Sequence, residues 1–472
     1  MSALARLMIA AAGSGCGKTS VTCALLSCLQ TRSVPVSAFK CGPDYIDPLF
    51  HQEVLGLSGC NLDLFLSDES TVRGLMAHYS AKTQLAVIEG VMGYYDGIGG
   101  TTDMASSYDL ANATQTPVLL LVDPRGMSLS LAALIAGFRD FRQPSHIAGV
   151  LLNHCSEALY TLLRPVIEEQ VGLKVFGYLP DDPEFAWESR HLGLDLRQRQ
   201  AAWEGMQRMA AQMERTVDVN GLLAVARSAP PLEPGNNPLS APLWASKGEK
   251  PVWGMSQAST EVKPQIAVAM DEAFCFIYRE NIDMLRTQGA EIVPFSPLRD
   301  QTLPDGVGGL YLCGGYPESY AAALAENETM RYSIREAAMS GLPTIAECGG
   351  FLYLQQTLEG EDGEMYPMVG LLDGVGMRSR GARRFGYLNM TARRDSLFAT
   401  IGESWRAHEF HYWDCDRNGM DFDCAKPLRD LRWHAGYAQG RLLAGFPHLY
   451  FPGAPQIAAR FVRLAKQGAD GE

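Results

Sequence analysis

The sequence predicts an α/β protein of two domains, and three observations carry that reading. The first is an apolar run from Leu4 to Ala11, suited to a buried strand, followed by Ala12-Gly13-Ser14-Gly15-Cys16-Gly17-Lys18-Thr19 and a helical stretch from Ser20 to Leu29. The second is an alternation of short β-rich runs with helical stretches to about Arg227, the pattern of a doubly wound parallel sheet. The third is a break in composition. Ala229-Pro230-Pro231-Leu232-Glu233-Pro234-Gly235-Asn236-Asn237-Pro238 and further prolines, serines and glycines interrupt all periodicity before a second alternation begins. A chain of 472 residues holds two full cores. The expected division is a first domain at 1–227, a linker at 228–264 and a second domain at 265–472.

In the first domain the expected strands after the N-terminal one are Val36–Phe39, Leu85–Glu89, Val118–Val122, Ile147–Leu152 and Val175–Tyr178. Each is a short, largely apolar run, the signature of a strand covered on both faces. In the second, Ile266–Met270, Glu291–Phe295, Gly309–Leu312 and Thr344–Ala346 read as strands and Ala321–Ser340 as one helix.

The charge balance is acidic, with 53 Asp and Glu against 40 Lys and Arg and a formal net charge of −13, which argues against nucleic-acid or anionic-membrane partners. The N-terminal apolar stretch runs straight into the glycine-rich loop, so it reads as a core strand and not as a signal peptide. No later apolar run is long enough to span a bilayer. Eleven cysteines without paired or C-x-x-C spacing suit reduced thiols, and a cytoplasmic location is expected.

The loop after the first strand is a phosphate-binding loop. The backbone N–H groups of Gly13, Ser14, Gly15, Cys16 and Gly17 wrap the phosphates of a nucleoside triphosphate, Lys18 reaches the terminal ones, and Thr19 is placed to hold Mg2+. Ala12 stands where a glycine is usual, and a turn of ordinary φ tolerates it. Glu89 ends a buried strand before Gly90, where phosphate-loop enzymes place a carboxylate for magnesium. Asp44 and Asp47 sit in a proline-bracketed loop, and Asp96 in a Gly-Tyr-Tyr-Asp-Gly turn. Lys40 offers a second positive charge for the phosphates, and the Asn153 amide, at a strand end, is placed to read a purine edge.

In the second domain, Thr344-Ile345-Ala346-Glu347-Cys348-Gly349-Gly350 puts a thiol on a sharp strand-to-helix turn, the logic of a nucleophile elbow, where a helix N-terminus favours thiolate. His448 is the best candidate for its base, with His408 and His411 as competitors. The backbone N–H groups of Gly315 and Gly349 are candidates for an oxyanion site.

Taken in order, these segments resemble the cobyrinate a,c-diamide synthase family, glutamine-dependent amidoligases of corrinoid biosynthesis. The match runs through Lys40-Cys41-Gly42-Pro43-Asp44-Tyr45-Ile46-Asp47-Pro48, Glu89-Gly90-Val91-Met92-Gly93-Tyr94-Tyr95-Asp96-Gly97 and Arg190-His191-Leu192-Gly193-Leu194. It continues through Asp271-Glu272-Ala273-Phe274, Gly314-Gly315-Tyr316-Pro317-Glu318, Glu347-Cys348-Gly349-Gly350 and His408-Glu409-Phe410-His411.

The resemblance implies a dethiobiotin-synthetase-like phosphate-loop domain and a class I glutamine amidotransferase domain. It implies ATP as co-substrate, Mg2+ as cofactor, and a corrinoid tetrapyrrole and glutamine as small-molecule substrates. Cys348 would form a glutamyl thioester with His448 as partner; Tyr450 occupies the position of the usual glutamate, so a Cys–His dyad is expected. Thr19 and Glu89 would hold the metal, while Lys40, Asp44, Asp47 and Asp96 would position the substrate or an acyl phosphate. The same motifs would serve hydrogenobyrinate or nickel-sirohydrochlorin. A phosphate-loop switch of the partitioning kind is disfavoured, because a switch has no use for Cys348 and His448. Nothing in the residues sets the oligomeric state.

Overall fold

In the computed structural model of the protein, residues 4–182, 196–243, 263–379, 381 and 384–469 are described. The chain divides into two units, Met1–Asn237 and Pro238–Glu472. The Arg190-His191-Leu192-Gly193-Leu194 segment lies outside the described residues, as do residues 244–262 of the expected linker.

The first unit is built on seven parallel strands: β1 (Ala5–Ala11), β2 (Val36–Cys41), β3 (Asn61–Leu62), β4 (Leu85–Glu89), β5 (Val118–Val122), β6 (Ile147–Leu152) and β7 (Val175–Tyr178). Their order is β3-β2-β4-β1-β5-β6-β7. Parallel strands are covered on both faces, which is why β4 and β5 are buried throughout. Arg6 interrupts the apolar run of β1 yet is fully buried, its guanidinium donating to the carbonyls of Thr114 and Gln115 where the helix Ser107–Thr114 ends. That cation neutralises the orphan carbonyls of the helix terminus. The carboxyl ends of β1, β2, β4 and β6 carry the phosphate loop, Lys40, Glu89 and Asn153, so the sheet gathers the expected site residues along one edge.

The turn-rich segment after Arg227 is not wholly a free tether. Asn236 N–H donates to Ser70 Oγ, and a Cβ on Gly74 would meet the Asn236 carbonyl at 2.1 Å, so residues near 236 are seated on the helix Glu69–Tyr79.

The second unit has a six-stranded sheet in the order Glu291–Phe295, Gln265–Ala269, Gly309–Leu312, Thr344–Glu347, Leu442–Gly445, Tyr437–Gln439, of which only the last pairing is antiparallel. The expected single helix Ala321–Ser340 is two, Ala321–Glu326 and Glu328–Met339. Asn327 divides them because its side chain caps the second helix at Met330 N and donates to the carbonyls of Pro297 and Asp300. A five-stranded antiparallel sheet, including Gly386–Ala392, Ser404–Glu409 and His448–Leu449, follows a smaller four-stranded one. Neither sheet was expected from the sequence.

Candidate active sites

The phosphate loop owes its shape to two glycines in left-handed backbone, Gly15 at φ +79° and Gly17 at φ +85°, where a side chain would be strained. Ala12 is not among the positive-φ residues, which accounts for its tolerance there. Lys18 opens the helix α1 (Lys18–Thr31) and turns back over the loop, its Nζ 3.1 Å from the Gly13 carbonyl and 2.5 Å from that of Met92. Burial, and then the nearby charge of Lys40, lower the pKa of its ammonium. Asp96 is exposed and accepts a 2.9 Å bond from Gly93 N–H, closing the turn that presents the Met92 carbonyl to Lys18. It does not join the other carboxylates.

Those carboxylates form a buried cluster. Thr19 Oγ1 donates to Glu89 Oε1 at 2.7 Å and lies 3.4 Å from Asp47 Oδ2. Lys40 Nζ is 2.5 Å from Asp47 Oδ2 and 2.8 Å from Glu89 Oε1, because the parallel register sets Lys40 beside Glu89 on neighbouring strands. Lys40 is therefore a buried counter-ion to Asp47 and Glu89 and not a solvated lysine. Burial, reinforced by Asp47, pushes the Glu89 carboxyl up. Burial would raise Asp47 as well, but the charge of Lys40 and hydrogen bonds from Glu89 and Lys40 hold it low. Burial alone would lower Lys40; Asp47, Glu89 and Asp44 together keep it high.

Asp44 accepts the backbone N–H of Ile46 at 2.8 Å at the start of the helix Ile46–Glu53, with Oδ2 4.0 Å from Lys40. His51, on the same helix as Asp47 and four residues on, is 1% exposed with Nε2 3.6 Å from Glu89 Oε2. Burial holds its imidazole at about 4, so it is neutral. His51 was not among the residues expected at the site, although its i, i+4 spacing from Asp47 puts both on one helix face.

Asn153 follows directly on the strand Ile147–Leu152, at the predicted strand end. Its Nδ2 donates to the Cys16 carbonyl at 2.9 Å, which ties the strand end to the phosphate loop with one of the two amide N–H groups. The loop Gly17 has no room for a side chain beside it: a Cβ there would lie 2.4 Å from Asn153 Nδ2.

In the second unit, Cys348 has φ +48° and ψ −104°, the strained backbone of a nucleophile elbow. Its N–H donates to Gly445 O at 2.8 Å, tying the turn to the neighbouring strand. The following helix, Gly349–Tyr353, has five residues, too short for the expected dipole to govern the sulfur. Burial, then Glu318 and Glu409, push the Cys348 thiol up, with only the Gly349 N–H opposing them. These influences oppose the thiolate expected at the elbow and favour a thiol, on which a base would act.

Gly315 and Gly349 are brought together, since a Cβ on Gly349 would lie 2.9 Å from Gly315 N. The ring of His448 packs on Gly314, where a Cβ would come within 2.4 Å of Cε1. Antiparallel pairing sets His408 directly opposite His448. Burial, followed by the charges of His448 and Lys426, depresses His408 to about 3, which makes it a poor base. His411 is engaged by Glu409 Oε1 at 2.8 Å and the Trp413 carbonyl and stacks on Phe446 at 3.9 Å. Of the three histidines, His448 packs against Gly314, whose neighbour Gly315 meets Gly349 beside the cysteine.

A phosphate-loop unit joined to a cysteine-elbow amidotransferase unit defines an ATP-dependent carbon–nitrogen ligase that takes its nitrogen from glutamine. Proteins named cobyrinate a,c-diamide synthase from Salmonella typhimurium and Listeria innocua are 38% identical over 466 residues and 36% over 472; both alignments cover 98% of this chain, and 98% and 100% of the relatives. The chain belongs to the cobyrinate a,c-diamide synthase family. Residues 7–194 match the CobQ/CobB/MinD/ParA nucleotide binding domain and residues 265–454 the CobB/CobQ-like glutamine amidotransferase domain. A similar protein from Thermoplasma volcanium, of the same name, is 36% identical over 459 residues, 97% of this chain and 96% of its own.

Proposed function

We propose that this chain amidates the a and c side-chain carboxylates of cobyrinate, using ATP to activate each and glutamine to supply ammonia. The observation that carries the choice of substrate is the shared name of relatives aligned over nearly the whole chain. The chemistry follows from a general difficulty. An ionised carboxylate repels nucleophiles and has no good leaving group, so transfer of the ATP γ-phosphoryl group to it yields an acyl phosphate that ammonia can attack, releasing phosphate. Lys18 and the loop N–H groups would stabilise the charge on the transferred group.

Thr19, Asp47 and Glu89 form a hard oxygen donor set of the type that magnesium prefers, and Glu89 Oε2 has no hydrogen-bond partner among the described residues. These residues would hold Mg2+, which supplies charge neutralisation at the phosphates when bound. Asp47 thereby moves from the substrate role expected of it to the metal side, and Asp44, whose side chain is 35% exposed against 10% for Asp47, is left for substrate or intermediate. At the glutaminase, Cys348 would attack the glutamine carboxamide with His448 as base, while the N–H groups of Gly315 and Gly349 receive the oxyanion.

All eleven cysteines are free, which supports a reducing, cytoplasmic setting, and no helix among the described residues is long and apolar enough to cross a membrane. The acidic balance supports small molecules, not nucleic acid or membrane, as partners. The test offers cobyrinate, hydrogenobyrinate and nickel-sirohydrochlorin separately with ATP, magnesium and glutamine and counts added amides by mass. Two amides on cobyrinate are expected. Amidation of another ring with none on cobyrinate would overturn the substrate and leave the ligase class standing.

A further inference from the structure

We infer that Glu347 is the positioning residue of the glutaminase, holding His448 from the position just before the nucleophile instead of two residues after the histidine. The inference rests on Cys348 and His448 being the catalytic pair.

Glu347 Oε2 lies 3.7 Å from His448 Nδ1, an ion-pair distance, and Glu347 Oε1 accepts the Leu449 N–H at 3.1 Å. The carboxylate is thus pinned to the backbone of the residue that follows the histidine. Both groups are deeply buried, Glu347 at 3% exposure and His448 at 1%. Such burial would be costly for a carboxylate without partners. The strand register fixes the pair, because Glu347 sits beside Gly445, three residues before His448. A second layer supports it. Tyr311 interacts with Glu347 through its hydroxyl, and Asn281 donates to Leu449 O at 2.8 Å and accepts from Phe451 N at 2.7 Å. Tyr450, at the usual glutamate position, is buried against Tyr278 in an edge contact at 5.2 Å and contributes no carboxylate.

At 3.7 Å the carboxylate acts on Nδ1 as a charge and not through a hydrogen bond, and that charge favours the tautomer with its proton there and leaves Nε2 as acceptor. His448 then takes the Cys348 proton as sulfur bonds to the glutamine amide carbon. Glu347 balances the imidazolium that forms, and His448 returns the proton to nitrogen as the C–N bond breaks and ammonia leaves. Water then hydrolyses the thioester to glutamate and restores the thiol.

The test uses the full chain with glutamine and, separately, with ammonium salt. Glu347→Gln is expected to lower kcat with glutamine on the order of 10²-fold or more, with KM for glutamine within about threefold and ammonium-dependent amidation kept. A purely structural role would not confine the loss to kcat with one nitrogen donor. A glutamine kcat within about threefold of the parent would overturn the proposal. Should Glu347→Gln lose ammonium use as well, Glu347→Asp decides: it draws the carboxylate back by a methylene, so a glutamine kcat at least about tenfold down with ammonium use intact supports the assignment, and an unchanged kcat overturns it. Cys348→Ser in parallel separates the two readings, since its continued use of glutamine would mean that the catalytic pair itself is misassigned.

Discussion

Thr19 Oγ1 donates a 2.7 Å hydrogen bond to Glu89 Oε1, so the end of the phosphate loop and the end of β4 meet at one buried point. The bond couples the residue that follows the phosphate-binding lysine to the one carboxylate of the cluster that is 0% exposed. If this point carries the metal, its two members fail together and leave the other unit untouched. Glu89→Gln and Thr19→Val should each lower ATP-dependent amidation on the order of 10²–10³-fold, with glutamate release from glutamine still measurable. Amidation at parental rate in either variant would remove these residues from the metal site.

Lys40 is the sole cation within 3 Å of both Asp47 and Glu89 among the described residues. Its removal leaves two carboxylates buried without their counter-ion. Lys40→Met should therefore cost about 3–5 kcal/mol of stability in the first unit, read as a lower denaturant midpoint. A midpoint equal to that of the parent would mean that the cluster already shares a proton and needs no lysine.

How much of this was legible in the sequence follows from how local each signal is. The phosphate loop and the cysteine elbow demand contiguous residues, and both were read from the chain. Asp47, His51, Lys40 and Glu89 meet because a helix and two strands converge, and that register is written in no single segment. Asn153 was read as a strand end, but its bond to the Cys16 carbonyl was not foreseen, since only the fold brings the phosphate loop to it. The antiparallel strands of the second unit escaped because many are three or four residues long and alternate buried with exposed, as in Phe422–Ala425. Short half-buried runs carry too little apolar signal to be told from loops.

His408 makes the stability of the second unit depend on pH. Burial and the neighbouring charges of His448 and Lys426 hold its folded value at about 3, against an ordinary 6.5. The unfolded chain therefore binds more protons between those values, and stability rises with pH across the window. The contribution is complete above pH 6.5 and is lost as the pH falls toward 3. His408→Gln should narrow the difference in urea midpoint between pH 7.5 and pH 5; an unaltered difference would show that His408 ionises in the folded chain as it does unfolded.

Gly314 tests whether the alignment of His448 matters to catalysis separately from its chemistry. A Cβ there would stand 2.4 Å from His448 Cε1 and 3.3 Å from Nδ1, so the ring must move when alanine replaces glycine. The ring is 1% exposed, and with Glu347 on one side and the paired strand of His408 on another it has little room to move without losing its alignment with the elbow. A displacement of about 1 Å in a catalytic base costs on the order of 10²-fold. Gly314→Ala should thus lose that much glutamine-dependent activity while keeping amidation from ammonium salt, because the phosphate-loop unit is untouched. Equal losses with both nitrogen donors would point to general unfolding, and no loss with glutamine would show that this contact does not set the alignment of His448.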